Sequence, residues 1–167
     1  MLSNDTIRDA VEEYGDMLYR TCLIMLKNKA DAEDAVQDTY VTYMKKAPDF
    51  SDSEHLKAWL ITVASNKCRD MLRFRNRHRT EPEEALATLI QPTDDTNILE
   101  ALMSLPEKFR LVLTLHYIDG YKVEEIAGII GKSGSAVKMR LSKGRKLLAE
   151  IYRKEYMYEI RKAQRFG

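Results

Sequence analysis

The chain has 167 residues, of which 44% are hydrophobic and 32% are charged, and its net charge is only +1. This composition is typical of a soluble, helix-rich protein and argues against a disordered or fibrous one. No stretch approaches the roughly 18 uninterrupted apolar residues of a membrane span, and the acidic start, MLSNDTIRDAVEEYG, is unlike a signal peptide. We therefore expect a cytoplasmic protein that folds as one ordinary domain or two small ones.

The first predicted helix lies near the start of the chain. The apolar residues that recur at spacings of three and four are Val11, Tyr14, Leu18, Cys22 and Met25. Asn28 ends this predicted helix, Asp31 caps the next one, and Pro48 ends that second helix. We expect the second helix to bury Ala32, Ala35, Val36, Tyr40 and Tyr43.

A third long helix is predicted from about residue 55 to residue 78, with the hydroxyl of Ser51 or Ser53 as its cap. Trp59 has apolar neighbours on this helix, and we expect it to lie in the core. Cys22 and Cys68 are isolated in the sequence, and no cysteine or histidine has the spacing of a metal site. We expect two buried thiols, no metal and no cofactor.

The second half of the chain follows an acidic stretch. Residues 80–96 contain two prolines and neither lysine nor arginine, which predicts a linker. Residues 123–130 and 135–148 then have the spacing of a helix-turn-helix, with Gly131 in its left-handed turn. The predicted fold is all-α: two small helical domains, residues 1–79 and residues 97–167, joined by a flexible acidic linker.

The second helix of this motif is strongly basic, with five cations and no acid from Lys138 to Lys146. Such a helix fits the major groove of DNA, where its flanking cations meet phosphates. A solvated basic surface helix is the alternative, but the glycine turn and the small Ala127 at the helix crossing favour DNA binding. A stricter helix-turn-helix template has an aliphatic residue at the position of Arg140. We expect Leu141 to take that role instead. Close packing would explain a glycine at position 144, inside the helix.

Three stretches resemble an alternative bacterial sigma factor of the extracytoplasmic-function group. They are DAEDAVQDTYVTYMKK, HLKAWLITVASNKCRDMLR and LPEKFRLVLTLHYIDGYKVEEIAGIIGKSGSAVKMRLSKGRKLL, within residues 10–78 and 97–150. The resemblance implies a non-catalytic subunit that binds RNA polymerase core and directs it to promoters. It also implies an anti-sigma partner, commonly membrane-bound, which could hold the protein at the inner face of the membrane.

Two other classes of protein remain open at this point. A free-standing helix-turn-helix regulator would bind its operator alone, typically as a dimer on paired half-sites. An enzyme has the least support, because the sequence has no nucleophile–base pair, glycine-rich phosphate loop or metal cluster. We expect no small-molecule substrate.

The resemblance also implies the binding residues. Contact with a coiled coil of the largest polymerase subunit is expected from Asp34, Gln37 and Asp38, which share a helix face. Contact with the promoter's minus-ten element is expected from Phe50, Ser51, Asp52, Ser53, Asn66, Lys67, Arg69, Arg73, Arg75 and Arg77. Contact with the minus-thirty-five element is expected from Ser135, Lys138, Met139, Arg140, Ser142, Lys143 and Arg145. Residues 151–167 extend the last helix as either an inert tail or a partner-binding surface.

Overall fold

The structure is a computed structural model that describes residues 2–78 and 96–166. Its α-helices are α1 (Asn4–Leu26), α2 (Lys29–Lys46), α3 (Ser53–His78), α4 (Thr96–Ser104), α5 (Glu107–Leu113), α6 (Val123–Ile130) and α7 (Gly134–Phe166). A single π-helical turn, Thr114–Ile118, continues α5. The described ranges contain no strand, so the predicted all-α class is confirmed. The predicted linker lies outside the described residues except for position 96.

The first three helices form a bundle around a shared core. The predicted stripe of α1 is buried at Tyr14, Leu18, Cys22 and Met25, but Val11 is 43% exposed. Ala10 takes the inner position instead, because the buried residues of α1 follow a spacing of four. The Ala10 carbonyl also accepts a hydrogen bond from the Tyr40 hydroxyl. On α2, the side chains that are buried at the core are Ala32, Ala35, Thr39, Tyr40 and Tyr43.

Helix α2 begins at a different cap from the predicted one. The Asn28 side chain accepts a 2.9 Å hydrogen bond from the Asp31 backbone N–H, so Asn28 is the cap and Asp31 lies in the first turn. Lys27, in a left-handed conformation with φ of 55°, ends α1 just before it. The prediction of Asp31 as the cap is therefore wrong. The Asp31 carboxylate still lies near the helix N-terminus, where negative charge is favoured.

The cap of α3 also differs from the prediction. The Asp52 carboxylate accepts a 2.8 Å hydrogen bond from the His55 backbone N–H, which places Asp52 three residues before its donor. Neither predicted serine makes this bond. The Ser51 hydroxyl faces the His55 ring instead, and the Ser53 carbonyl accepts a hydrogen bond from Tyr14. A carboxylate is as good a cap as a hydroxyl, so the prediction of Ser51 or Ser53 overlooked Asp52 between them.

Helices α4–α7 form the second unit, with the predicted helix-turn-helix in α6 and α7. Gly131 has a φ of 67°, which confirms the left-handed turn between the two helices. The shared core contains Ile126, Ile130 and Val137, and Leu141 is only 3% exposed. Leu141 therefore fills the aliphatic position.

Gly144 lies where α7 crosses α5. A β-carbon built on Gly144 would lie 3.2 Å from Leu113 Cδ1 and 3.3 Å from Phe109 Cβ, which is closer than ordinary van der Waals contact. This crossing confirms close packing as the reason for a glycine inside α7. It also holds α7 against the rest of its unit.

The two units pack against each other. Helix α1 contacts α5 and the π-helical turn, and α3 contacts α6. The first helix of the helix-turn-helix therefore faces the first bundle, while α7 packs mainly on α4, α5 and α6.

Candidate polymerase-binding and DNA-binding surfaces

An acidic face runs along the outside of α2. Asp34, Gln37 and Asp38 are all exposed, because the other side of the helix is fixed in the bundle by its small and aromatic residues. They line a groove of about 400 Å³ between α2 and α3, together with Lys67, Asp70 and Met71. In the described ranges, neither Asp34 nor Asp38 forms an ion pair. The face is therefore available to a cationic partner.

Two apolar side chains continue this face. Val41 is 39% exposed and Met44 is 37% exposed, and they follow Gln37 at spacings of four and seven. Sequence reasoning missed both residues. Their position outside the buried stripe of α2 could have revealed them. An apolar residue away from the core side has no packing role within the bundle, so it indicates a surface for a partner.

The predicted minus-ten residues of α3 do not all share one face. Asn66, Arg69, Arg73 and Arg77 are spaced by three, four and four, which places them along one side of the helix. Asn66, Arg73 and Arg77 are exposed, and Arg69 is half-buried. Arg69 donates hydrogen bonds to the Asn66 side chain and, at 3.4 Å, to the Ile130 carbonyl.

Two other cations of α3 point elsewhere. Arg75 follows Cys68 and Leu72 on the inner side, and its guanidinium donates 2.6 Å hydrogen bonds to the Leu26 carbonyl and the Asp31 carboxylate. Only 13% of the Arg75 side chain is exposed. Lys67 lies in the groove beside the acidic face of α2. The structure therefore gives Arg75 a role within the bundle and sets Lys67 apart from the Asn66 side of α3.

The loop before α3 combines a packed ring with exposed polar groups. The Phe50 ring packs against Tyr43, His55 and Trp59, with centroid distances of 6.2 Å, 5.4 Å and 5.7 Å. Trp59 is part of this aromatic group and is partly buried against the core rather than inside it. Ser51, Asp52 and Ser53 are exposed on its outer side. The ring contacts of Phe50 and the cap at Asp52 therefore anchor this loop to the bundle.

The recognition helix presents its polar residues to solvent. Ser135, Lys138, Met139, Lys143 and Arg145 are exposed, and Met139 reaches 65%. The helix begins with a 3.1 Å hydrogen bond from the Ala136 N–H to the Ser133 hydroxyl.

Several of these side chains are positioned by neighbours. Arg145 donates a 3.2 Å hydrogen bond to the Tyr117 hydroxyl, and the Lys143 ammonium lies 5.9 Å from the centre of the Phe109 ring. Arg140 and Ser142 are half-buried. The N-terminal part of the helix therefore carries several exposed polar side chains, and this is the part that reaches base edges in helix-turn-helix proteins.

The buried thiols have no feature of a reactive site. Cys22 and Cys68 are free and fully buried. A hydrogen bond with Cys22, and burial, raise the pKa of the Cys68 thiol well above its usual value. The described residues contain no group of three or more histidine, cysteine or acidic side chains that could hold a metal ion.

Comparison with known proteins identifies the two helical units. The family model of Sigma-70 region 2 matches residues 10–78, and that of Sigma-70, region 4 matches residues 95–148. The ECF RNA polymerase sigma factor SigW of Bacillus subtilis is 27% identical, in an alignment that covers 89% of this chain and 90% of SigW. The chain belongs to the extracytoplasmic-function group of sigma factors. It is an alternative sigma factor that directs transcription initiation.

Solved sigma factors share this fold over both regions. The sigma factor RpoE of Bartonella quintana, in complex with the anti-sigma factor NepR, is 25% identical with a TM-score of 0.75, over 87% of this chain and 96% of RpoE. CnrH, in complex with the cytosolic domain of CnrY, is 26% identical with a TM-score of 0.69, over 89% of this chain and 88% of CnrH.

The sigma factor regions correspond to the two units of the structure. Region 2 covers α1–α3, and region 4 covers α4, α5, α6 and the first half of α7. Residues 149–167 lie beyond both matches. Within the two described ranges, no helix combines the length and apolar character needed to cross a membrane.

Proposed function

We propose that this sigma factor binds core RNA polymerase through the acidic face of α2. Asp34, Gln37 and Asp38 form the polar part of the surface, and Val41 and Met44 form its apolar part. The observation that carries the proposal is the exposure of two carboxylates, one turn apart, that have no ion-pair partner in the described part of the chain. Acids at this spacing meet the cations of a partner helix, here a coiled coil of the largest polymerase subunit.

The proposed minus-ten surface lies on α3 and the loop before it. Asn66, Arg69, Arg73 and Arg77 form its helical side, and exposed residues of the loop 50–53 form its edge. Capture of an unstacked base needs polar groups for the base edge and cations for the single-strand backbone. Both kinds of group occur on this side of α3.

The proposed minus-thirty-five surface is the N-terminal part of α7. Lys138, Met139 and Lys143 are exposed there, and Arg145 lies beside them on the next turn. The side chains near the start of the helix reach base edges, and the later cations contact phosphates. Region 2 and region 4 would then bind two separate promoter elements, as domains over residues 1–79 and 97–167.

An anti-sigma factor is the proposed regulatory partner. RpoE has been solved with one, and CnrH has been solved with a cytosolic domain of its partner. We expect the partner of this chain to hold it in the cytoplasm, at the inner face of the membrane where the partner has a membrane anchor. Release would then make the acidic face of α2 available to polymerase.

The test is binding to core polymerase together with run-off transcription. The double variant Asp34→Lys/Asp38→Lys should lose at least tenfold in core affinity, which is about 1.4 kcal/mol, and lose transcription in proportion. Asp9→Lys/Glu12→Lys is the matched control, because these exposed acids lie on α1 at a spacing of three.

Helix content of both variants should equal that of the wild type, because exposed charges contribute little to stability. Unchanged core affinity of the α2 variant would contradict the proposal. A wild-type chain that binds duplex DNA alone, but neither binds core nor directs initiation, would indicate a free-standing regulator.

A further inference from the structure

Met139 is the most exposed of the large apolar side chains in the described ranges, at 65%. It lies in the second turn of α7, two residues after the buried Val137 and two residues before the buried Leu141. Residues two apart on a helix are separated by about 200° around its axis, so Met139 lies opposite both of them. Its side chain therefore faces solvent rather than the core of region 4.

The neighbours of Met139 on this outer side of α7 are polar. Ser135 precedes it by four residues and Ser142 follows it by three, so both serines share its side of the helix. A lone exposed apolar side chain is ordinary on a protein surface. Met139 differs because it lies in the middle of a row of serines, on the face of α7 that the proposed function places in the major groove.

Two cations lie on opposite flanks of this row. Lys143 and Arg145 are two residues apart, and both are exposed. The Arg145 guanidinium donates to the Tyr117 hydroxyl at 3.2 Å, and the Lys143 ammonium lies 5.9 Å from the centre of the Phe109 ring. Cations at the flanks of a recognition helix contact phosphates, so the row between them faces the base edges. Met139 would therefore lie against a base in the complex.

The chemistry of the major groove limits what Met139 can contact there. The base edges present hydrogen-bond donors and acceptors and one apolar group, the C5-methyl group of thymine. The thioether of methionine has no hydrogen to donate and is only a weak acceptor. Against any other base, Met139 would displace water from a polar edge without replacing its hydrogen bonds, which costs free energy. The serines do not discriminate in this way, because a hydroxyl can bond to different bases.

We propose that Met139 is a specificity-determining residue that selects a thymine in the minus-thirty-five element through the C5-methyl group of the base. This inference deepens the proposed function of α7 and rests on it. The unbranched side chain of methionine adapts to an irregular surface, so it can cover a methyl group without a fixed geometry. The preference for thymine then comes from burial of the methyl group and from the unfavourable contact with any polar edge.

The first test is promoter selection by holoenzyme made from core polymerase and the full chain. Run-off transcription from promoters randomised in the minus-thirty-five element should select a thymine at one position or more for the wild type. Met139→Ser should lose the preference at one such position, and Met139→Leu should keep it because leucine retains an apolar side chain. Ile98→Ser is the matched control, because Ile98 is a 47% exposed apolar residue on α4, outside the recognition helix. Circular dichroism should show the wild-type helix content for every variant, since both positions are exposed.

The second test removes the methyl group from the DNA instead of the side chain from the protein. In the selected promoter, 2′-deoxyuridine replaces the thymidine at the position identified above, which leaves the base pairing unchanged. Fluorescence anisotropy should show that wild-type holoenzyme binds the uridine promoter roughly fourfold more weakly, which is the effect of one buried methyl group. Holoenzyme with Met139→Ser should bind the two promoters equally, whereas Ile98→Ser should discriminate between them as the wild type does.

Three results would overturn the role of Met139: a thymine preference that is the same in Met139→Ser as in the wild type, equal wild-type affinity for the thymidine and uridine promoters, or discrimination between them by Met139→Ser. Lys143→Ala separates this inference from the proposed function. If Lys143→Ala weakens promoter binding but the uridine promoter binds normally, only the methyl contact fails. If neither Lys143→Ala nor Met139→Ser alters promoter affinity or selection, the assignment of α7 to the minus-thirty-five element fails as well.

Discussion

Arg75 Nη2 lies 2.6 Å from Asp31 Oδ2, and this ion pair joins the third helix of region 2 to the start of its second. The same guanidinium donates to the Leu26 carbonyl at the end of α1. One side chain therefore connects all three helices of the bundle. The family resemblance placed Arg75 among the DNA-binding cations, whereas its contacts are those of a stabilising residue.

Arg75→Ala should destabilise region 2 by about 1–2 kcal/mol, because the Leu26 carbonyl loses a partner and the partly exposed Asp31 is left to water. Urea unfolding followed by circular dichroism measures the effect. Arg77→Ala is the control, since Arg77 is exposed two residues later on α3. The urea midpoint of this control variant should equal that of the wild type. A stable Arg75→Ala protein with weakened promoter binding would support the DNA-binding assignment instead.

Gly144→Ala should lower stability although alanine favours helix by about 1 kcal/mol. The added methyl group meets Phe109 Cβ, which is attached to the backbone of α5 and has little room to move. Overpacking of this kind costs about 1–3 kcal/mol. Gly128→Ala is the matched comparison, because Gly128 lies in α6 and a β-carbon built on it would have no neighbouring atom within 4 Å. We expect Gly128→Ala to raise the thermal midpoint and Gly144→Ala to lower it; equal shifts would argue against a tight crossing.

Asp119 makes the stability of the folded protein depend on pH. Burial raises the pKa of its carboxyl, against the opposing effects of the Thr21 hydrogen bond, Arg20 and Lys57. A raised folded-state pKa gives stability that is fully present below the unfolded pKa, about 3.9 for aspartate, and is lost as the pH rises through the folded pKa.

Asp119→Asn removes this titration and keeps an oxygen that can accept from Thr21. The variant should therefore be at least as stable as the wild type at neutral pH, and its advantage should shrink as the pH falls towards about 4. Urea midpoints at several pH values measure the difference, with Asp16→Asn on α1 as the control. An advantage that grows on acidification would contradict the raised pKa of Asp119.

The two cysteines should resist thiol reagents in the folded protein. Both are fully buried, and the raised pKa of Cys68 keeps its thiol protonated. Ellman's reagent should titrate neither group in native buffer and both groups in guanidinium. Rapid reaction of either thiol in the native state would show that the bundle opens at α1 and α3.

Lys143→Ala should weaken promoter binding by the holoenzyme while leaving core affinity unchanged. The Lys143 side chain is exposed on the recognition helix, and loss of one phosphate contact reduces the salt dependence of DNA binding by about one ion. Lys154→Ala is the control, because it removes an exposed lysine from the same helix beyond the region 4 match. Equal losses in both variants would indicate a general charge effect.

The helices could be predicted because their signal is local. Apolar residues at spacings of three and four mark the buried sides of α1, α2 and α3, and Gly131 marks the turn before α7. The capping residues were harder to predict. Asn28 and Asp31 are both good caps and lie three residues apart, and the same holds for the neighbours Ser51 and Asp52. Only backbone geometry distinguishes them.

The helical periodicity of α3 could have distinguished its buried arginine from its exposed ones. Arg75 lies seven residues after Cys68 and three after Leu72, so it falls on the buried side. The family resemblance, together with its charge, suggested that it faced DNA. The contacts between regions were beyond sequence reasoning, because Thr21 and Asp119 are 98 positions apart and no local pattern links them.

Helix α7 runs without interruption from Gly134 to Phe166, a length of about 50 Å at the usual rise per residue. Its first turns form the proposed promoter-reading surface, and its last turns lie beyond the region 4 match. The two ends of such a rod cannot rotate independently. A fluorophore at the exposed Ala163 would therefore report the orientation of the recognition helix from a position far from the DNA, without altering a single contact there.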